Sequence, residues 1–214
     1  MNRLILISKK SEQLDIDKYE GLSVQFRGQG STVTIVEGSR FVNAKIIVGN
    51  ESHIEIGKTH RRGLHNLTVD MSGVGTNKRL VIGNGCSCES MRFAMANESN
   101  LEVSLGENCL VGANVTVRPS DGHTIYDVHS GKILNYAKPI VIGSHVWISA
   151  GVTFLKGANV PANCIVGGGA IVTAAFSDEN CVIAGSPARV VKTGVMWDRR
   201  YIEEFLKAGK DSVF

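Results

Sequence analysis

The sequence has little proline, few aromatic residues and no long apolar stretch. Four prolines stand against 24 glycines, and Phe, Trp and Tyr together make up 6% of the 214 residues. A chain of this kind turns often and fills its interior with aliphatic side chains, which favours β structure. No stretch approaches the roughly 18 apolar residues of a membrane span, and the apolar run at residues 4–7 is too short for a secretory signal. We therefore expect neither secretion nor a membrane span.

The charges and the cysteines exclude further classes. The chain has 23 Lys and Arg against 20 Asp and Glu, and 43% of its residues are hydrophobic. This balance is typical neither of a histone-like nucleic-acid binder nor of a disordered chain. The cysteines form an odd set without the tight pairing of a disulfide or zinc framework: Cys86, Cys88, Cys109, Cys164 and Cys181. We expect buried free thiols in a reducing compartment, the cytoplasm.

A six-residue repeat runs through residues 142–177. The first position of each hexad is large and apolar: Ile142, Ile148, Phe154, Val160, Val166 and Val172. The fourth positions are mostly Gly or Asn, the residues that enter left-handed backbone conformations at least cost: His145, Gly151, Gly157, Asn163, Gly169 and Ala175. Short strands joined by tight bends explain this period, and three such edges make one coil of about 18 residues. The repeat predicts an all-β chain wound as a parallel β-helix.

Two segments break the repeat. Residues 118–139 contain Pro, Gly, Asp and His without apolar repetition, which predicts a loop extruded from the coil. Near the C-terminus, apolar residues recur at helical spacing and predict a short helix over about 197–208: Trp197, Tyr201, Phe205 and Leu206. We divide the chain into less regular coils over 1–79, regular coils over 80–192 and a helical tail over 193–214.

Three segments, "SDGHTIYD", "IVIGSHVWISAGVTFLKGANV" and "VIAGSPARVVK", resemble the hexapeptide-repeat acyltransferases. Within that family the chain is most similar to the O-acetyltransferases of capsular or other surface polysaccharides, polysialic acid included. The resemblance implies a left-handed parallel β-helix that assembles as a homotrimer. It also implies acetyl-CoA as co-substrate, no metal, and a hydroxyl of a surface glycan or its sugar precursor as acceptor.

The catalytic candidates are His123, Asp121 and Trp147. Acetyl transfer to a hydroxyl needs a base, and imidazole titrates near neutrality; the resemblance implies that His123 in the extruded loop is that base. Asp121 either fixes the imidazole tautomer or holds the turn before Gly122. Trp147 occupies an outward position of its hexad, where a stacking contact or burial between subunits explains it. The resemblance places this tryptophan in the active site.

The coenzyme candidates lie on the last coils. Ala150, Gly168 and Thr173 leave room for the pantetheine arm, or serve only as corner and core residues. Arg189 and Lys192, at positions that bind the nucleotide end in the family, would meet the phosphates. These five residues are the predicted cofactor-binding set.

Several alternatives stay open at this stage. The acceptor is either a surface polysaccharide or a small molecule such as a free sugar, an antibiotic or an amino acid. His129 is expected at the surface, whereas His145 is either a corner residue or an acceptor contact. The basic segment 58–65 is a solvated loop or an attractant for anionic glycans, and its lack of aromatic residues argues against nucleic acid. A histidine-bound zinc, as in the γ-type carbonic anhydrases, and a scaffold without chemistry complete the alternatives.

Overall fold

The chain winds into a left-handed parallel β-helix with three sheets, as the resemblance implied. The structure is a computed structural model that describes residues 1–208. Within these residues the chain completes six coils, and each coil passes through sheet 1, then sheet 2, then sheet 3. Each strand of the inner coils therefore has neighbours in the coils on either side.

Sheet 1 contains, in spatial order, β2 (Gln13–Asp15), β1 (Arg3–Ile7), β4 (Thr32–Val36), β7 (His53–Ile56), β10 (Arg79–Ile82), β13 (Glu102–Leu105), β16 (Ile140–Ile142) and β19 (Asn159–Val160). Sheet 2 contains β5 (Phe41–Val42), β8 (Leu64–His65), β11 (Ser87–Cys88), β14 (Leu110–Val111), β17 (Trp147–Ile148), β20 (Ile165–Val166), β22 (Cys181–Gly185) and β23 (Ala188–Thr193). Sheet 3 contains β3 (Leu22–Phe26), β6 (Ala44–Val48), β9 (Leu67–Asp70), β12 (Met91–Ala94), β15 (Val115–Arg118), β18 (Thr153–Leu155) and β21 (Ile171–Val172).

The interior consists of rows of aliphatic side chains in strict register. One row in sheet 1 runs through Ile35, Ile56, Ile82, Leu105, Ile142 and Val160. The six residues that lead the hexads of 142–177 are all at most 1% exposed. The predicted inward set is confirmed, and its burial supplies the hydrophobic free energy of each coil.

The corners follow the predicted residue types with one exception. His145 and Asn163 have φ angles of 55° and 61°, and the glycines at three of the other fourth positions also lie in the left-handed region. The imidazole Nδ1 of His145 lies 3.2 Å from the amide Oδ1 of Asn163, so successive corners also bond to each other. Ala175 is outside the left-handed region, because the repeat ends there and Ala175 forms only an isolated bridge with Asn159.

The extruded loop spans residues 119–139, between the end of β15 and the start of β16. It leaves the coil at the corner between sheet 3 and sheet 1.

Residues 1–79 contribute strands to the same three sheets as residues 80–192, and β1 adds an antiparallel pairing with β2. The fold is therefore one continuous stack on which the loop projects.

The C-terminal helix, α1, begins at Ile202 and ends at Ala208, later than the predicted start at Trp197. Trp197 is instead buried, because its indole Nε1 donates to the carbonyl of His145 and its ring stacks on the His145 imidazole at 4.5 Å. The part of the predicted tail over 209–214 lies outside the described residues. Over residues 1–208, no helix is long and apolar enough to cross a membrane.

The close stacking of coils yields a test at Gly106. A Cβ on Gly106 would lie 2.5 Å from the backbone nitrogen of Ser144 in the next coil, whereas Gly194 has open space around it and a φ of 66°. We expect Gly106→Ala to lower the free energy of unfolding by about 3 kcal/mol, the upper end of the usual cost of overpacking. Gly194→Ala, the control, should cost only about 1–2 kcal/mol of backbone strain. Equal losses in urea unfolding would contradict the steric account.

Candidate active site

The His123 side chain is exposed on the extruded loop, at the edge of an open cleft of about 360 Å³. The cleft is also lined by Asn97, Glu98, Gly122, Thr124 and Tyr136. Its walls come from two loops at the same corner of the β-helix, residues 95–101 and 119–139. An imidazole in this position is free to contact a substrate that enters from solvent.

Asn135 holds the backbone on both sides of His123. Its side chain is buried, and its Nδ2 donates to the carbonyl of His123 at 2.7 Å and to Oδ2 of Asp121 at 2.9 Å. Its Oδ1 accepts from the backbone N–H of Ile125 at 2.7 Å. Three hydrogen bonds from one buried amide restrict the path of the loop, and with it the direction of the imidazole.

Asp121 is engaged by a lysine from the next coil. The ammonium of Lys156 lies 2.5 Å from Oδ2 of Asp121 and also donates to the carbonyl of Asn135. Hydrogen bonds from Lys156 and then Asn135 lower the pKa of Asp121 despite its partial burial. Within residues 1–208 no hydrogen bond joins Asp121 to the ring of His123. The contacts favour the second of the two predicted roles, holding the turn.

Glu98 joins the two ends of the loop. Its carboxylate accepts a hydrogen bond from the hydroxyl of Ser120 at the start of the loop and another from the backbone N–H of Ala137 near its end. Asn97, the preceding residue, donates to the carbonyl of Gly122 at 3.4 Å. The base of the loop is thus fastened to the coil before it.

Trp147 lies on the outer face of sheet 2 and is 40% exposed, so its predicted outward direction is confirmed. Its ring centroid is 6.2 Å from that of Trp197, at an angle of 45°. Both tryptophans, with Ile165 and the apolar side of α1, line an open cleft of about 580 Å³. Trp147 is therefore available for a flat apolar contact.

The segment between β23 and α1 is fastened along the corner of sheets 1 and 2. The guanidinium of Arg199 donates to the carbonyls of Gly85, Asn108 and Cys109 and to the hydroxyl of Ser87. Burial lowers the pKa of Arg199, although these carbonyls satisfy its donors. Together with the stacked Trp197, this arginine holds one wall of the cleft beside Trp147.

Four of the five predicted coenzyme residues lie on neighbouring strands and corners at one end of the helix. Gly169 N–H donates to the carbonyl of Ala150, so Ala150 and Gly168 stack at the corner between sheets 2 and 3. Arg189 and Lys192 are exposed on β23, and neither makes an ion pair with the described residues. Thr173 follows β21 in the same last coil as Gly168, but it lies past the strand of sheet 3 rather than at the corner of sheets 2 and 3.

The structure does not bring His123 and Trp147 together within one chain. The loop of His123 leaves between sheets 3 and 1, whereas Trp147 and Arg189 lie on sheet 2. His129 is exposed near the loop tip. The ring of His145 stacks on Trp197, and its Nδ1 is in hydrogen-bond contact with Asn163. Among residues 1–208, no three His, Cys, Asp or Glu side chains converge as metal ligands would.

Three comparisons bear on this arrangement. A "Polysialic acid O-acetyltransferase" of Neisseria meningitidis is 32% identical over 166 residues, 74% of this chain and 77% of that protein. An Escherichia coli O1:K1 protein of the same name is 35% identical over 108 residues, which are 50% of this chain but only 35% of the relative. The crystal structure of the "polySia specific acetyltransferase NeuO" superposes with a TM-score of 0.78 at 25% identity, covering 98% of this chain and 90% of that one. No family model matches the chain.

The role of Asn135 can be tested by proteolysis at the loop tip. Asn135→Ala removes three hydrogen bonds of about 1 kcal/mol each, so local opening should rise at least about tenfold. We expect trypsin to cut after the exposed Lys132 correspondingly faster, while the far-ultraviolet spectrum stays native. Asn159→Ala is the control, because it removes one side-chain hydrogen bond, to the carbonyl of Phe176, outside the loop. Trypsin should cut this variant at the original rate. An unchanged rate in Asn135→Ala would exclude Asn135 as the residue that holds the loop.

Proposed function

The chain belongs to the hexapeptide-repeat acetyltransferases, and on that premise we propose that it transfers the acetyl group of acetyl-CoA to a hydroxyl of a surface polysaccharide of the sialic-acid type, or of its sugar precursor. The observation that carries the proposal is the exposed imidazole of His123 in an open cleft, on a loop held by Asn135. A reducing cytoplasm suits its five free, buried cysteines.

The residues on the last coils fit coenzyme A. Ala150 and Gly168 present an exposed strip with almost no side chain, where an extended pantetheine arm can lie against backbone. Arg189 and Lys192 supply two exposed cations near the end of that strip, which suits the phosphates of the nucleotide. The bound co-substrate supplies an acetyl group already activated as a thioester.

His123 acts in this proposal as general base. Its neutral imidazole takes the proton of the acceptor hydroxyl while the hydroxyl oxygen forms a bond to the acetyl carbon. The carbon–sulfur bond breaks, and the coenzyme leaves as a thiol that receives the proton. Asn135 and Lys156 contribute by holding the loop, so that the imidazole reaches the hydroxyl without reorganising.

The proposal requires a second copy of the chain. His123 and the Trp147 side of the helix face different directions in one chain, so a donor on sheet 2 meets the His123 of a neighbour. A closed cyclic assembly gives every copy one such junction, and we propose the homotrimer that the resemblance implied. Trp147 then lies at the junction, where its exposed ring stacks on substrate.

The first test is removal of the base. His123→Ala should lower kcat for acetyl transfer by about 10²- to 10⁴-fold, with native melting and unchanged coenzyme binding. Thiol release from acetyl-CoA, measured across a panel of acidic glycans, neutral glycans and small acceptors, gives the rate. His129→Ala, an exposed histidine of the same loop, should retain full turnover. Normal turnover in His123→Ala would remove that residue from the mechanism, and turnover confined to small acceptors would favour the alternative substrate class.

The coenzyme site has its own test. Replacing both Arg189 and Lys192 by Gln should raise the KM for acetyl-CoA about tenfold or more, because each cation makes charge-assisted contacts with phosphate. The kcat at saturating acetyl-CoA should change little. Lys10→Gln, an exposed lysine at the opposite end of the helix, is the control. A KM for acetyl-CoA equal to that of the unmodified protein would move the nucleotide site elsewhere.

A further inference from the structure

The outer face of sheet 3 is basic along the axis of the helix. Lys45 pairs in register with Thr68, and Thr68 pairs with Arg92, so the two cations share one outward row two strands apart. Arg118 follows on the next strand, β15, directly before the loop of His123. Neighbouring strands are about 4.8 Å apart, so these cations succeed one another at intervals of about 5–10 Å toward the loop.

The arginines of sheet 3 differ from those of sheet 1 in having no acidic partner. On sheet 1, Arg3 pairs with Asp15 at 2.8 Å, and Arg79 pairs with Glu55 at 3.0 Å. On sheet 3, the side chains of Arg92 and Arg118 are exposed and make no hydrogen bond or ion pair with any residue of the described part of the chain. Two exposed guanidinium groups that make no ion pair are free to bind an external anion, although the carboxylates of Asp70 and Asp121 lie near enough to interact with them through space.

The one acidic side chain on the outer face of the described sheet 3 strands does not neutralise these arginines by contact. Asp70 accepts hydrogen bonds from the backbone N–H and the hydroxyl of Ser72 instead. Burial alone would raise the pKa of Asp70. The hydrogen bonds from Ser72 and the charges of Arg92 and Arg27 outweigh burial, so the pKa of Asp70 is lowered. The surroundings of this carboxylate are therefore electropositive.

The basic face leads directly to His123. A cleft of about 270 Å³ is lined by Arg92, Arg118, Thr116 and Ser120, and also by Asp70, whose carboxylate is engaged by Ser72. Asn97 and Gly122 line both this cleft and the cleft that contains His123. A glycan chain lying along sheet 3 would thus have one sugar at the imidazole and the preceding sugars over the arginines.

We propose that Arg92 and Arg118 form a carboxylate subsite, which binds the sugar units next to the one that is acetylated and selects acidic polymers over neutral or single sugars. The proposal rests on the proposed function and names its acceptor class. Lys45 extends the same track, so an acceptor gains contacts as its length grows. The phosphates of acetyl-CoA are the other anionic ligand that such a site accepts, and the experiment separates the two.

The test uses Arg92→Gln, Arg118→Gln and the double variant, with Arg79→Gln on sheet 1 as the matched control. With a sialic-acid oligomer as acceptor, we expect the double variant to raise the acceptor KM at least about tenfold, because two charge-assisted contacts are lost. The KM for acetyl-CoA and the kcat should stay close to their original values. The acceptor KM of the unmodified protein should fall with oligomer length and rise with salt, and both trends should weaken in the double variant.

A binding experiment keeps this inference separate from the proposed function. Calorimetric titration of the oligomer into the protein, without acetyl-CoA, should lose at least about tenfold in affinity in the double variant and nothing in Arg79→Gln. An absence of thiol release from the unmodified protein would end the proposed function, whereas this titration would still report on the subsite. Three results for the double variant would overturn the subsite. Its affinity for the oligomer could be unchanged, or its KM could rise for acetyl-CoA and not for the acceptor. Its assembly could also have a smaller mass in solution than that of the unmodified protein, which would assign the arginines to an interface between copies.

Discussion

The register between successive coils is the constraint on which the rest of this protein depends. Side chains alternate between the two faces of a strand, so a slip by one residue would turn a whole buried row toward solvent. The sheet 1 row from Ile35 to Val160 keeps its register through six strands and is at most 2% exposed throughout. The same register fixes what lies outside. Trp147 keeps Ile165 as its neighbour, and Lys45 and Arg92 stay in one line, because the interior permits no other pairing.

Such a stack accepts additional residues only at its corners, and here the insertions accumulate at the corner between sheets 3 and 1. The three insertions are residues 71–78, 95–101 and 119–139. Lys78 is fully buried and donates to the carbonyls of Met71, Val74 and Ala96, which ties the first insertion to the second. The second insertion then holds the third through Glu98, whose carboxylate binds both ends of the His123 loop. Each insertion supports the next one through these hydrogen bonds. The position of the His123 imidazole therefore depends on residues more than one coil away.

The sequence predicted those features that repeat and missed those that depend on contacts between coils. Hexads with an apolar first position and a Gly or Asn corner are sufficient to predict the fold. The absence of that pattern over 118–139 is sufficient to predict the loop. Asn135 and Lys156 have no local signature, because their partners come from other parts of the stack. The spacing of Trp197 to later aromatic residues is helical and predicts that Trp197 lies in the helix. Its burial against His145, 52 residues earlier, is a long-range interaction that periodicity does not contain.

The charges divide the surface into faces with different uses. Arginines on sheet 1 are neutralised by carboxylates on adjacent strands, and exposed pairs of this kind contribute little to stability. Their main effect is to leave that face without an excess of charge. Sheet 3 retains unpaired cations beside His123, and sheet 2 retains Arg189 and Lys192 beside the strip of small residues. On the proposed function, acceptor and coenzyme are both anions and would compete for a single basic surface. In the proposed assembly, the two basic faces come together only where two copies meet, and both anions would then bind at once with their reacting atoms adjacent.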